Sequence, residues 1–415
     1  MEPGAMLKVD GARLWSDLMT MAAIGATARG GSFRTALSDA DRDGRNLFVY
    51  WAKEAGLEVS VDKIGNIFAR RAGTDDSLPP VMAGSHLDTQ APGGRFDGVL
   101  GVLAGLEAVR TLNRAGLSTK RPIEIVNWTN EEGARFPPGV VGSNLFAGRT
   151  TLEALLATRD RAGILMGDEL NRIGYAGHRD VGQRPVDSYL ELHIEQGPVL
   201  EESGVTIGAV THTSNQGGGV IEIIGENGHS QTTRMSRRRN ALVGAARVIT
   251  EIERLGMAQE PHGMVSATVA DVWPNNRINI PHRVNVGFLI VHAEGEGRDR
   301  ILDDIETIAR TMGQDCGLEV SFTRSPQRHR FDFPAELVAL TETTAKQLGH
   351  TSMRLPTWTA HDALNMHAVC PTALIFVPCR DGISHSELEW CEPAHATAGA
   401  NVLVNMILDR ANRTG

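Results

Sequence analysis

His86 stands in the stretch Gly84-Ser85-His86-Leu87-Asp88-Thr89, and Asp97 in Gly93-Gly94-Arg95-Phe96-Asp97-Gly98. A histidine and an aspartate joined by a glycine-rich loop can close on one ion, because glycine lets the backbone turn tightly. Asp88, two residues after His86, could accept the imidazole's other N–H and hold its tautomer. Farther along, Glu131-Glu132 follow the apolar run 123–128, His193 follows the run 188–192, and His385 lies in Gly382-Ile383-Ser384-His385-Ser386. Three imidazoles with carboxylates suit a borderline divalent ion, zinc first, with manganese, cobalt or nickel as alternatives. Side chains on adjacent residues diverge, so one of the paired glutamates can bind metal while the other works as a base. A shared Asp97 carboxylate could bridge two ions roughly 3.5–4 Å apart, which would make water acidic near neutral pH and polarise a carbonyl.

These residues need a scaffold that brings distant segments to one edge. Residues 80–83, 123–128 and 188–192 read as short buried strands, and helical spacing covers residues 11–27, 40–55 and 99–115. A hairpin is expected from 57–61 and 64–69. Strand, long loop and helix in repetition predict an α/β domain with a mostly parallel sheet, whose chemistry gathers beyond the carboxyl ends of the strands. After about residue 211 the order becomes β-α-β-β-α-β, that of a ferredoxin-like split unit. The α/β rhythm resumes after Pro334. The expected organisation is a catalytic domain of residues 1–212 and 329–415 with an inserted lid or dimerisation domain at 213–328.

The chain has 415 residues, with 41% hydrophobic and 22% charged residues, as in ordinary globular proteins. A net charge of −9 argues against a nucleic-acid partner. Four cysteines without a CxxC pair read as reduced thiols, no apolar run reaches the length of a membrane span, and no leader pattern opens the chain. The expectation is a cytoplasmic protein with no membrane partner.

The stretches GSHLDTQAPGGRFDGVLGV, NWTNEEGARFPP, ELHIEQGPVLEE, GHSQTTRM and FVPCRDGISHSELEW together resemble the hydantoinase/carbamoylase branch of the dinuclear metallopeptidase-like amidohydrolases. That branch includes N-carbamoyl-L-amino-acid hydrolase, β-ureidopropionase and allantoate amidohydrolase. The resemblance implies two divalent ions per subunit, one on His86, Asp97 and His193 and the other on Asp97, Glu132 and His385. It implies Glu131 as general base, Asp88 as support for His86, and Gln196 as a substrate contact. It also implies a homodimer formed through the lid, in which His229 stabilises the oxyanion in the other subunit's active site.

The lid departs from the family pattern. In the family the chain resembles, members acting on carbamoyl amino acids usually show an Asn-x-Ile-Pro-Gly turn and a strand ending Asp-x-Arg, whose Asn and Arg hold the substrate carboxylate. Aligned on Ile280-Pro281, the Asn position is Ile278, the Asp position Leu289 and the Arg position Val291. Valine cannot replace an Arg fork. A shifted register would return the task to Asn276, Arg277 or Asn279. Trp358 replaces a small residue beside the retained His361 and Asp362, which are expected to brace the site rather than bind metal. The sequence therefore predicts a hydrolase of linear amide or N-carbamoyl bonds in small molecules, with an altered and less polar pocket. The competing readings are an aminopeptidase or N-acyl-amino-acid deacylase, and a non-catalytic metal- or ligand-binding protein.

Overall fold

Val81–His86, Ile123–Trp128, Ser188–Ile194 and Thr372–Val377 are buried at every position. A strand covered on both faces cannot alternate apolar with polar residues, so it reads as a continuous apolar run. In the computed structural model, which describes residues 6–413, these four strands run parallel at the centre of an eight-stranded sheet. The hairpin Glu58–Val61 and Ile67–Arg71 adds antiparallel to Ile123–Trp128 on one side. Ile207–Thr213 and then Ser352–Thr357 extend the sheet beyond Thr372–Val377. The helix Val99–Arg114 is buried along most of its length, as is the closing helix Pro393–Asn412, which begins with proline at its first turn where no N–H is missed.

The first expected helix ends at Ala23, short of residue 27, because the chain turns through Gly25 at φ 77°. Residues 129–187 hold three helices that the sequence pattern did not reveal: Val141–Phe146, Leu152–Leu156 and Met166–Arg172. At seven residues or fewer each, they are too short to show a full apolar period.

Contacts divide the chain into two compact units. The first runs to Thr211 and takes in Phe333–Leu355 and everything from Ala360; the second is His212–Asp332 with Pro356–Thr359. Trp358 thus belongs with the second unit. Within that unit the strands lie in the order Glu319–Arg324, Asn215–Ile224, Arg283–His292, Gly263–Trp273, all antiparallel to their neighbours. This is the split β-α-β-β-α-β arrangement. Arg283–His292 buries alternate residues, and Val284, Val286 and Ile290 join Ala245, Val248 and Ile252 of the helix Ala241–Met257 and Ile301 and Ile305 of the helix Gly295–Cys316 in one core.

Under the loops of the first unit lies a layer of buried charge. Arg45 donates to Asp41 at 2.8 Å with both side chains fully buried, and also to the carbonyl of Gly65 at 2.7 Å and Thr129 Oγ1 at 3.3 Å. Arg34, equally buried, donates to the carbonyls of Leu87, Met21 and Ile24. Removing one member of a buried pair strands the other charge. Arg45→Met is therefore expected to lower the unfolding free energy by about 3–5 kcal/mol in urea titrations, and a double Asp41→Leu/Arg45→Met variant to recover much of that loss.

Candidate active site

Each candidate ligand of the first unit sits at or just beyond the carboxyl end of a central strand. His86 is the last residue of Val81–His86, His193 is next to last in Ser188–Ile194, and Glu131-Glu132 follow Ile123–Trp128. Asp97 precedes the helix Val99–Arg114, and His385 lies in the loop after Thr372–Val377. Parallel neighbours put these ends on one edge of the sheet. Three loops turn there through a non-glycine residue in the left-handed region: Asn130 at φ 54°, Gln196 at 60° and His385 at 51°. Such conformations persist where surrounding structure holds them, commonly at functional sites.

The result is two groups of donors that share one residue. Ligand atoms of His86, Asp97 and His193 lie within 4.8 Å of one another, as do those of Asp97, Glu132 and His385. Asp97 Oδ1 faces His193 Nε2 at 3.1 Å and His86 Nε2 at 3.7 Å, and Oδ2 faces His385 Nε2 at 3.3 Å. His385 Nε2 is also 3.2 Å from Glu132 Oε2. The Nδ1 atoms of His86 and His193 meet the backbone carbonyls of Asp88 and Ile194 at 2.9 and 2.8 Å. A carbonyl accepts only from N–H, so each ring carries a proton on Nδ1 and leaves Nε2, the nitrogen a metal would use, facing Asp97. Gly98, at φ 68°, leaves room for the His86 ring: a Cβ there would come within 2.3 Å of it. Imidazole and carboxylate donors in this disposition fit two divalent ions bridged by Asp97.

The electrostatics point the same way. Burial pushes His86 down to about 4, which keeps the ring neutral as a ligand must be. Burial opposes ionisation of Asp97, yet His193 and His385 hold its carboxyl well below the ordinary range. Burial likewise works against charge on those two histidines, but hydrogen bonding to Asp97 lifts both to about 9. Burial followed by the Asp97 charge raises Glu132 to about 8, and burial followed by Asp362 and Glu132 raises Glu131 well above a normal carboxylic acid. A divalent cation reverses this balance by stabilising the carboxylates and displacing protons from the imidazoles.

The structure corrects one expectation about Asp88. Its backbone carbonyl, not its side chain, meets His86. The buried carboxylate instead accepts the N–H groups of Glu131 at 3.3 Å and Glu132 at 3.2 Å, because the turn after His86 directs it toward the next strand's loop. Glu131 Oε2 stands 3.5 Å from His86 Nε2. Gln196, expected against substrate, donates to Asp97 Oδ2 at 2.8 Å. His361 packs edge-on against His193, centroids 4.5 Å apart, and groups with Glu191 and His193. Asp362 accepts from Ser143 at 2.5 Å, and Glu191 accepts from Ser85 and from the Ala363 N–H.

The remaining candidates lie in the second unit. His229 is exposed and pairs with Asn279, and its Nδ1 accepts the Gln231 N–H at 3.1 Å, which leaves the ring proton on Nε2. Asn276 Oδ1 accepts the N–H groups of Ile278 and Asn279, closing the turn; Arg277 and Ile278 are exposed. Val291 lies opposite Gln216 and Met264 in the sheet, and Trp358 is half-buried. Two residues escaped sequence reasoning. Gln90 donates to Glu132 Oε2 at 2.8 Å, and Glu389 accepts from the backbone of the Asp97 loop. Both fall within stretches that carry ligands, but a search for ligands does not ask what holds them.

A parallel sheet whose carboxyl edge gathers two carboxylate-linked donor sets defines a metal-dependent hydrolase. Residues 82–409 match the peptidase family M20/M25/M40, and the chain belongs to that family. It is 42% identical over 413 residues to an N-carbamoyl-L-amino-acid amidohydrolase of Rhizobium meliloti, covering 99% of this chain and 98% of that one. It is 36% identical over 405 residues to an N-carbamoyl-L-amino acid amidohydrolase of Geobacillus stearothermophilus, covering 96% and 98%. The solved structure of an amidase of the hydantoinase/carbamoylase family from Burkholderia vietnamiensis aligns with a TM-score of 0.94 at 43% identity, covering 98% of both chains. The protein is a metal-dependent amidohydrolase, an enzyme acting on C–N bonds of linear amides. Dialysis against a strong chelator should abolish hydrolysis of such amides, and zinc, manganese, cobalt or nickel should restore it; full turnover in a verified metal-free sample would contradict this.

Proposed function

We propose that the protein hydrolyses the N-carbamoyl or a related linear amide bond of a small molecule, working as a homodimer with two divalent ions per subunit. The observation that carries the reading is the division of Asp97, whose two oxygens face different donor sets. His86, Asp97 and His193 would hold one ion and Asp97, Glu132 and His385 the other. When bound, such ions lower the pKa of water and polarise a carbonyl.

The chain's own groups then divide the work. Glu131 lies beside the ligand Glu132, with its backbone N–H pinned to Asp88. Burial and neighbouring carboxylates raise its proton affinity, and bound cations would offset that, so that it can take a proton from the attacking water and return it to the nitrogen as the C–N bond breaks. His229, with its proton on Nε2, is equipped to donate to the oxygen that becomes negative in the tetrahedral intermediate. Zinc is the first candidate metal, and the cytoplasm the compartment this reading favours. Glu131→Gln should keep the fold and both ions but lower kcat by about 10²–10⁴-fold, the usual weight of general acid–base catalysis. Near-normal turnover by that variant would remove Glu131 from the role.

The relatives' names favour N-carbamoyl amino acids, whereas the lid favours a modified substrate. Ile278 and Val291 stand where the resemblance places a carboxylate clamp, and Asn276 is engaged in its own turn. Neither side chain can donate to a carboxylate, so a substrate carboxylate placed there would lack the charge-assisted bonds of an Asn and Arg clamp. The preferred substrate is therefore a carbamoyl or amide compound whose non-scissile end is neutral or apolar. Carbamoyl-methionine compared with its carboxamide should show the larger kcat/KM for the carboxamide. A strong preference for the free acid would mean that Arg277 or a neighbouring asparagine anchors the carboxylate.

A further inference from the structure

Glu389 is 2% exposed and lies four residues beyond His385, yet none of the functions above uses it. Its Oε1 accepts two consecutive backbone N–H groups, that of Phe96 at 2.8 Å and that of Asp97 at 3.1 Å. Its Oε2 has no hydrogen-bond partner among the described residues. The same side chain fills the space above Gly94, where a Cβ would fall 1.9 Å from Glu389 Cδ. On its own strand of backbone, the Glu389 N–H donates to the Ser386 carbonyl at 3.1 Å, and the Leu388 N–H to Ser386 Oγ at 3.2 Å. The turn that carries Glu389 is thus the one that carries His385.

We propose that Glu389 is the positioning residue of the dinuclear site: its buried carboxylate clamps the backbone of Asp97 and ties the loop bearing the shared ligand to the loop bearing His385. The chemistry follows from the geometry. Asp97 must turn one oxygen to His86 and His193 and the other to His385, and a carboxylate on a glycine-rich loop has no intrinsic reason to hold that rotation. Two charge-assisted hydrogen bonds from adjacent N–H groups to one oxygen fix the peptide plane from which the Asp97 side chain springs. Gly94 is the matching half of the device, since any side chain there would displace the clamp. A residue that holds a ligand rather than binding the ion governs affinity through preorganisation, and loss of such support typically weakens metal binding 10–100-fold.

This inference rests on the dinuclear reading, and its test is zinc binding rather than turnover. The full chain, stripped by chelator, is titrated with zinc against a chromogenic competitor, with circular dichroism as a check on folding. The parent should take up two ions. E389A should bind them at least about 10-fold more weakly. E389Q, which retains a carbonyl oxygen to accept the two N–H groups, should recover most of the affinity. G94A should reproduce E389A with Glu389 still present, and it decides the matter if E389A does not fold. Parent-like zinc affinity in folded E389A or G94A would overturn the proposal, as would E389Q binding as weakly as E389A. A parent chain that takes up none of zinc, manganese, cobalt and nickel would instead overturn the dinuclear reading itself, so the two failures are distinguishable.

Discussion

Carboxylates crowded together away from water repel one another, and the carboxyl edge of this sheet gathers Asp88, Asp97, Glu131 and Glu132 there with three imidazoles. Only a concentrated positive charge at the centre makes that arrangement favourable. Burial and like charge push Glu131 and Glu132 toward their protonated forms, and Asp97 pushes His193 and His385 the same way, the reverse of what metal ligands need. The need for positive charge beside Asp97, whose two oxygens face different donor sets, is the constraint that the surrounding structure serves.

The supports reach that point from several directions. Backbone carbonyls set the tautomers of His86 and His193, a glycine opens space for the His86 ring, and Asp88 holds the two glutamates by their N–H groups. Near Asp88 lie the buried Arg34 and Arg45, which together with Asp41 balance charge. These are stabilising interactions only as a set, because a buried charge stripped of its partner costs more than the pair gives. Stability and catalysis are therefore hard to separate on this side of the sheet.

The second unit rests on different physics. The second unit is a small antiparallel sheet with one covered face, and its site candidates lie in a tight turn and along a strand rather than in a buried network. Surface positions of this kind can exchange polar for apolar residues at little cost to folding. Ile278 and Val291 lie outside the buried residues of the four-stranded core, so a change at either position would leave that core intact.

What the sequence by itself determined follows from local physics. Continuous apolar runs announced the buried parallel strands, and the residues just after them announced the ligands, because a parallel sheet places the ends of such runs together. The split β-α-β-β-α-β order and the gathering of His86, Asp97, Glu132, His193 and His385 at one sheet edge were legible for that reason. The resemblance supplied the division of labour between Glu131 and Glu132. Tertiary structure alone decided what holds the ligands. That the Asp88 carbonyl rather than its carboxylate meets His86, that Gln90 reaches Glu132, and that Glu389 grips the Asp97 loop are contacts across dozens to hundreds of residues, or choices between two oxygens of one residue. No spacing encodes them. They exist only once the core has brought the loops within hydrogen-bonding distance, where angles and a few tenths of an ångström determine which oxygen meets which proton.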